Sequence, residues 1–160
     1  MDSSRERRRR VAVIGPGDTG PAVLALAEQV GAELARCHAI LICGGLGGCM
    51  AAAARGARAQ GGTTLGVLPG YDPDAADDAI EIPLPTGLGT ARNVIVVASA
   101  EAVIAIAGGP GTLSEIALAL VLGRRVVGLG TWELSAPDGS HPSIVQARDA
   151  KEAVRLALQI

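Results

Sequence analysis

Phenylalanine is missing from this chain, and Tyr71 and Trp132 are its only tyrosine and tryptophan. Proteins that grip single-stranded nucleic acid rely on several aromatic stacking platforms, which argues against that class of function. Positive charge is not in excess either. Fourteen Lys and Arg against sixteen Asp and Glu leave a formal net charge of −2, so no nucleic-acid partner is expected. No apolar run approaches the ~18 residues of a membrane span. The first ten residues, MDSSRERRRR, lack the apolar core of an export signal and read as a basic, mobile tail. Cysteine is scarce: Cys37, Cys43 and Cys49 are spaced six apart, which matches no zinc pattern. All three are expected to be buried, small apolar residues in a reduced, cytoplasmic setting, with no metal.

Glycine, by contrast, is abundant. The chain has 22 glycines in 160 residues, roughly twice the usual share of about 7%. From Val11 onward, short apolar runs alternate with helical patterns. Strands are expected at 10–15, 39–43, 63–68, 80–82, 102–107 and 125–129, the last of them closing the sheet. Helices are expected at 21–36, 48–60, 90–99, 113–122 and from about 145 to 158, with loops at 70–78 and 130–142. Such alternation specifies a Rossmann-like, doubly wound parallel sheet flanked by helices on both faces, as a single α/β domain over residues 11–160. Its ligand crevice lies beyond the carboxyl ends of the strands.

The most informative stretch is Ala107-Gly-Gly-Pro-Gly-Thr-Leu-Ser-Glu115. It runs from a buried strand through a glycine-rich turn into a helix. Glycines let backbone N–H groups approach a phosphate, and the helix N-terminus adds partial positive charge. Three further glycine turns, Gly15-Pro-Gly-Asp-Thr-Gly20, Gly44-Gly-Leu-Gly-Gly48 and Gly87-Leu-Gly89, fall at strand ends or helix starts. Turns after parallel strands share one edge, so several should converge on one crevice. The candidate ligand-binding residues are Gly15, Gly17, Gly44, Gly45, Gly47, Gly48, Met50, Arg92, Asn93, Gly108, Gly109, Pro110, Gly111 and Thr112. With Thr90 as N-cap, Arg92 falls in a first helical turn, against the helix dipole, which suggests an anion to meet. Glu115 has two readings. Thr112-Leu-Ser-Glu115 fits a capping box, and a carboxylate beside the cradle also fits a ribose contact or proton transfer.

These residues carry a family resemblance. Gly44-Gly-Leu-Gly-Gly-Cys-Met50, Gly56-Ala57, Gly61-Gly62 and Gly66-Val-Leu-Pro69 resemble the first half of the LOG family of the SLOG superfamily, once mislabelled lysine decarboxylases. Gly108-Gly-Pro-Gly-Thr-Leu-Ser-Glu115 resembles its second signature, proline-glycine-glycine-x-glycine-threonine-x-x-glutamate. The likeness spans roughly residues 11–130. LOG enzymes are phosphoribohydrolases of cytokinin nucleoside 5′-monophosphates. The resemblance makes Arg92 and Glu115 the catalytic pair and has Gly108, Gly109, Gly111 and Thr112 hold the phosphate. Three positions depart from the pattern: Ala107 replaces its proline, Asn93 its lysine and Val96 its methionine. The run Gly89-Thr-Ala-Arg-Asn-Val-Ile95 and the short chain are closer to a sister branch containing the molybdenum cofactor carrier proteins of algae and cyanobacteria, which bind a pterin phosphate in the same crevice. The superfamily also holds a DNA-loading recombination mediator, which the acidity and scarce aromatics of this chain disfavour.

Two functions therefore stay open. One is carrier-like binding of a phosphorylated small molecule, either a nucleotide or the molybdenum cofactor, with no cofactor required for chemistry. The other is hydrolysis of the N-glycosidic bond of AMP or a cytokinin ribotide through Arg92 and Glu115. In either case the helix 113–122, apolar nearly all round, implies a homodimer or homotetramer.

Overall fold

The computed structural model describes residues 7–160. Seven strands, β1 (Arg10–Ile14), β2 (Ile40–Cys43), β3 (Thr64–Leu68), β4 (Ile82–Pro85), β5 (Ala102–Ile106), β6 (Arg125–Leu129) and β7 (Ile144–Gln146), form one sheet in the order β4-β3-β2-β1-β5-β6-β7. Every neighbouring pair is parallel. The chain winds outward from β1 to β4, then returns to β5 on the other side of β1. The strand order therefore reverses between β1 and β5, the point at which doubly wound sheets hold their ligands.

The central strands are buried on both faces, and their side chains alternate between two cores. Val11 and Val13 of β1 join Ile104 and Ile106 of β5 in one cluster, while Ala12 and Ile14 join Val103 and Ala105 in the other. The first cluster is covered by α1 (Pro21–Arg36), α2 (Cys49–Ala59) and α5 (Ala150–Leu158). The second is covered by two helices, α3 (Asn93–Ala98) and α4 (Pro110–Val121), with Leu134 of the loop after β6 packed beside them. Three helices on one face and two on the other leave Val94, Val121 and Leu122 exposed beside α3 and α4.

Helices α1 and α2 pack so closely that no side chain fits at their crossing. A Cβ on Gly31 would overlap the Ala53 carbonyl, and one on Gly56 would overlap the Glu28 carbonyl. The alanines of α2 are thus a contact surface as much as a helix-forming run.

Several boundaries differ from the sequence reading. The fourth strand is Ile82–Pro85 rather than 80–82; its two prolines are admissible because β4 is an edge. β6 does not close the sheet, since β7 pairs beyond it. The closing helix starts at Ala150, not near 145. Asp149 caps it by accepting from the Glu152 N–H at 2.8 Å, and Arg148 pairs with Glu152. Residues 1–6 of the expected basic tail lie outside the described residues. Beyond them, Arg10 opens β1, Arg9 and Arg10 both pair with Glu101, and Arg8 donates to the Thr63 hydroxyl. Cys43 and Cys49 are buried as expected, but Cys37 is exposed. Among the described residues no helix is long and apolar enough to cross a membrane, and no group of three or more metal-binding side chains gathers.

The α1–α2 crossing makes a direct prediction. Gly31→Ala should destabilise the protein by about 1–3 kcal/mol through overpacking, despite the better helix propensity of alanine. Urea denaturation measures it, and an unchanged midpoint would contradict the contact described.

Candidate functional site

A cavity of about 300 Å³ opens at the carboxyl edge of the sheet, over the gap between β1 and β5. The turn after β1 supplies Gly15, Pro16 and Gly17; the turn after β2 supplies Gly44; α2 supplies Met50. Arg92 and Asn93 enter from the start of α3, and Gly109, Pro110, Gly111, Thr112 and Glu115 from the start of α4. Three of the four glycine turns do converge. Gly45, Gly47 and Gly48 do not line the cavity. Gly45 instead packs on β3, where a Cβ would sit 2.6 Å from Leu68, and Gly48 lets the chain pass the Pro16 and Gly17 carbonyls. Gly108 lies under Trp132 in a neighbouring depression, and the turn at Gly87 and Gly89 is apart from the site.

The floor is set by how α4 begins. Its N-cap is Gly109 and its first residue is Pro110; no side chain caps it, and its first turn holds no acidic residue. The N-termini of α1 and α2, also following turns on this edge, likewise lack a side-chain cap and a first-turn acid. The helix outside the site, α5, has both. The leading N–H groups of α4 thus have no side-chain cap and lie at the positive end of the helix dipole, an arrangement able to accept an anion. An added Cβ at Gly109 or Gly111 would meet nothing within 4 Å, so neither glycine is needed for packing. Nor is the capping box formed. α4 starts earlier than the reading of 113–122, so Thr112 lies inside its first turn, and no described donor reaches the Glu115 carboxylate.

Arg92 crosses the mouth of the β2 turn. Its Nη2 donates to the Gly44 carbonyl at 3.3 Å, its Nη1 donates to Asn93, and its Nε is buried without a partner. Gly44 is what permits this, since a Cβ there would lie 2.5 Å from the Met50 sulfur and 2.7 Å from Arg92 Nη2. Thr90 is not a helix cap: it sits in a 3-10 turn, Gly89–Arg92, and Arg92 itself precedes α3 as its N-cap. The guanidinium still faces the cavity beside a helix start.

Among the described residues Glu115 is the one buried carboxylate, 8% exposed. Burial pushes its carboxyl up to about 7, and the Arg92 charge only partly opposes that shift. The site therefore combines a fixed cation, free backbone N–H groups and an acid that is half protonated near neutrality. The buried thiols behind it are inert, with Cys43 pushed up to about 12 and Cys49 to about 11 by desolvation.

The turn that precedes α4 is strained. Ala107 has φ +50°, the left-handed region that favours glycine. The end of the neighbouring strand and the turn beyond it hold it: its N–H donates to the carbonyl of Leu129, the last residue of β6, at 3.0 Å, and its carbonyl accepts from the Thr131 hydroxyl. Proline, whose ring fixes φ near −65°, cannot occupy this position. The departure at Ala107 from the LOG-type signature is thus a departure in backbone path. Thr131 and Trp132, which secure this turn, were not among the sequence candidates. Their only sequence signal is the isolated tryptophan in a loop.

A model of the SLOG cluster4 family matches residues 8–157. A molybdenum cofactor binding protein of the phototrophic bacterium Rippkaea orientalis superposes with a TM-score of 0.89 at 35% identity, covering 96% of this chain and 98% of that one. The molybdenum cofactor carrier protein of Chlamydomonas reinhardtii does so with a TM-score of 0.83 at 36% identity, over 96% and 98%. An uncharacterized protein of Archaeoglobus fulgidus is 43% identical over 120 residues, 75% of this chain and 79% of its own length.

Two predictions follow from the geometry. Ala107→Gly relieves the left-handed strain and should raise stability by about 1 kcal/mol, whereas Ala107→Pro should lower it by about 3 kcal/mol or more; thermal melts of both variants decide. For Glu115, the raised carboxyl pKa favours the protonated native state. Its stabilisation is complete below about 4.5 and is lost as pH rises through about 7. The wild type should therefore lose about 3 kcal/mol relative to Glu115→Gln between pH 4.5 and 8. Parallel pH dependences in denaturant titrations of the two proteins would refute the assignment.

Proposed function

The chain belongs to the SLOG cluster4 family, and from that premise we propose that it binds a phosphorylated small molecule in the cavity between β1 and β5, as a carrier. The observation that carries this reading is the uncapped, acid-free start of α4 facing the Arg92 guanidinium across the cavity. A phosphate accepts hydrogen bonds from the Gly109, Gly111 and Thr112 N–H groups while Arg92 supplies the countercharge. Gly17 leaves open space beside the ligand, Gly15 and Gly44 let their turns close on Cys49 and on Met50 and Arg92, and Asn93 and Met50 complete the wall. Protonated Glu115 donates to a ligand oxygen instead of repelling it. The solved relatives that bind or carry the molybdenum cofactor support a pterin phosphate as the cargo; a nucleotide offers the same phosphate.

A second reading, hydrolysis of the N-glycosidic bond of a nucleoside 5′-monophosphate, is favoured by Glu115 alone. Freed from a capping role and titrating near 7, it could stabilise an oxocarbenium-like transition state or move a proton. The path of the chain at Ala107, closed to the proline of the hydrolase signature, weighs against it.

The test uses AMP as probe. Wild type should bind AMP in a calorimetric titration without releasing adenine. Gly111→Val has open space around it, so it should fold normally and lose affinity at least tenfold. Unchanged affinity in folded Gly111→Val would overturn the cradle. Adenine release by wild type, abolished in Glu115→Gln, would replace the carrier by the hydrolase.

We also propose that the chain assembles as a homodimer or homotetramer through the thinly covered face at α3 and α4, where Val121 is 83% exposed. Light scattering at micromolar concentration should return a multiple of the 16.0 kDa chain. A monomer would refute it.

A further inference from the structure

Beside the cavity, and sharing the loop 107–111 as a common wall, lies a second depression of about 270 Å³ at the carboxyl ends of β5 and β6. Its lining is Ala107, Gly108, Gly130, Thr131 and Trp132, with no charged group among them. It is therefore unsuited to a second phosphate. Small residues and a backbone turn form the rest of its surface, and the only tryptophan of the chain forms the remainder.

Trp132 is held in an unusual way for an exposed aromatic. Its indole N–H donates to the Gly109 carbonyl at 3.3 Å, so the ring is fixed to the N-cap of the helix that makes the cradle. The preceding residue, Thr131, grips Ala107 on the same loop. Gly108 gives the indole its place, because a Cβ there would lie 2.9 Å from Nε1 and 3.0 Å from Cδ1. The loop beyond is also braced, with Ala136 donating to Ser140 and Asp138 accepting from Ser140. Yet 37% of Trp132 remains exposed. A residue serving only to clamp the turn would not need a large apolar ring left open to water. An immobilised aromatic one residue from a phosphate cradle is a stacking platform that loses little entropy on binding.

We propose that this depression takes the planar part of the ligand: a fused two-ring nitrogen heterocycle, common to purine nucleotides and pterins, stacked on Trp132 while the phosphate rests on α4. The assignment builds on the phosphate-binding reading above and adds the residue that selects for the ring.

The experiment compares ligands that separate the two halves. Because Trp132 is the only tryptophan, indole emission reports this depression alone. AMP and 6-hydroxymethylpterin should quench it; ribose 5-phosphate should not. In calorimetry, Trp132→Ala should weaken AMP on the order of tenfold to a hundredfold and ribose 5-phosphate by a much smaller factor, the part due to the lost bond to Gly109. Trp132→Phe keeps a ring but loses the bond to Gly109, and should retain most of the AMP affinity. Equal loss for AMP and ribose 5-phosphate in Trp132→Ala, or a Phe variant as weak as the Ala variant, would make Trp132 a structural clamp and overturn the proposal. So would the absence of quenching by both AMP and 6-hydroxymethylpterin. If adenosine binds as tightly as AMP and quenches equally, the ring subsite stands and the phosphate reading falls.

Discussion

Two hydrogen bonds to Ala107, from its N–H to Leu129 and to its carbonyl from Thr131, keep an alanine in a backbone region that L-residues avoid. The rest of the site depends on that hold. Turning left-handed at 107 lets the chain leave β5 and start α4 within three residues, with Gly109 as its N-cap. A slower turn would carry the helix start away from the gap between β1 and β5. The strain is local and the restraint comes from the end of β6 and the turn after it, which is how a sparsely populated backbone state persists when its surroundings over-determine it.

Placing charge here runs against burial. Arg92 has a buried Nε with no partner, and Glu115 has a nearly buried carboxyl with no donor, although each neighbours the other's charge. A protein under no demand but stability would replace both with apolar groups of similar shape. Their presence, together with helix starts without caps or acids, is the polarity on which the proposed binding site rests. Glycines 109 and 111 tell the same story sterically, since the protein itself leaves room for side chains that are absent.

Much of this was legible in the sequence. The strand–helix rhythm, the parallel sheet with helices on both faces and the meeting of glycine turns all follow from local pattern and from parallel topology. What escaped did so for identifiable reasons. The run Ser143 to Gln146 is too short to read as a strand, and only the pairing with β6 makes it one. Asp149 and Glu152 marked the true start of α5, but the apolar residues before them blurred it. Thr112 and Glu115 have the spacing of a capping box; Pro110, a favoured first helical residue, outranked it and began α4 earlier. Gly45 and Gly108 were read as cradle residues because glycine looks alike whatever it makes room for. At Gly45 that is a neighbouring strand, and at Gly108 it is an indole.

The edge strand β4 has a consequence of another kind. Its sequence Ile82-Pro-Leu-Pro85 pairs with β3 through one side, and Pro83 and Pro85 offer no N–H at all. The opposite border, β7, is only three residues long. Neither rim can template another strand. The sheet is therefore sealed against fibrous, strand-by-strand growth at both ends. An assembly of the kind proposed above would then form through helix faces, where it can stop at a closed number of copies.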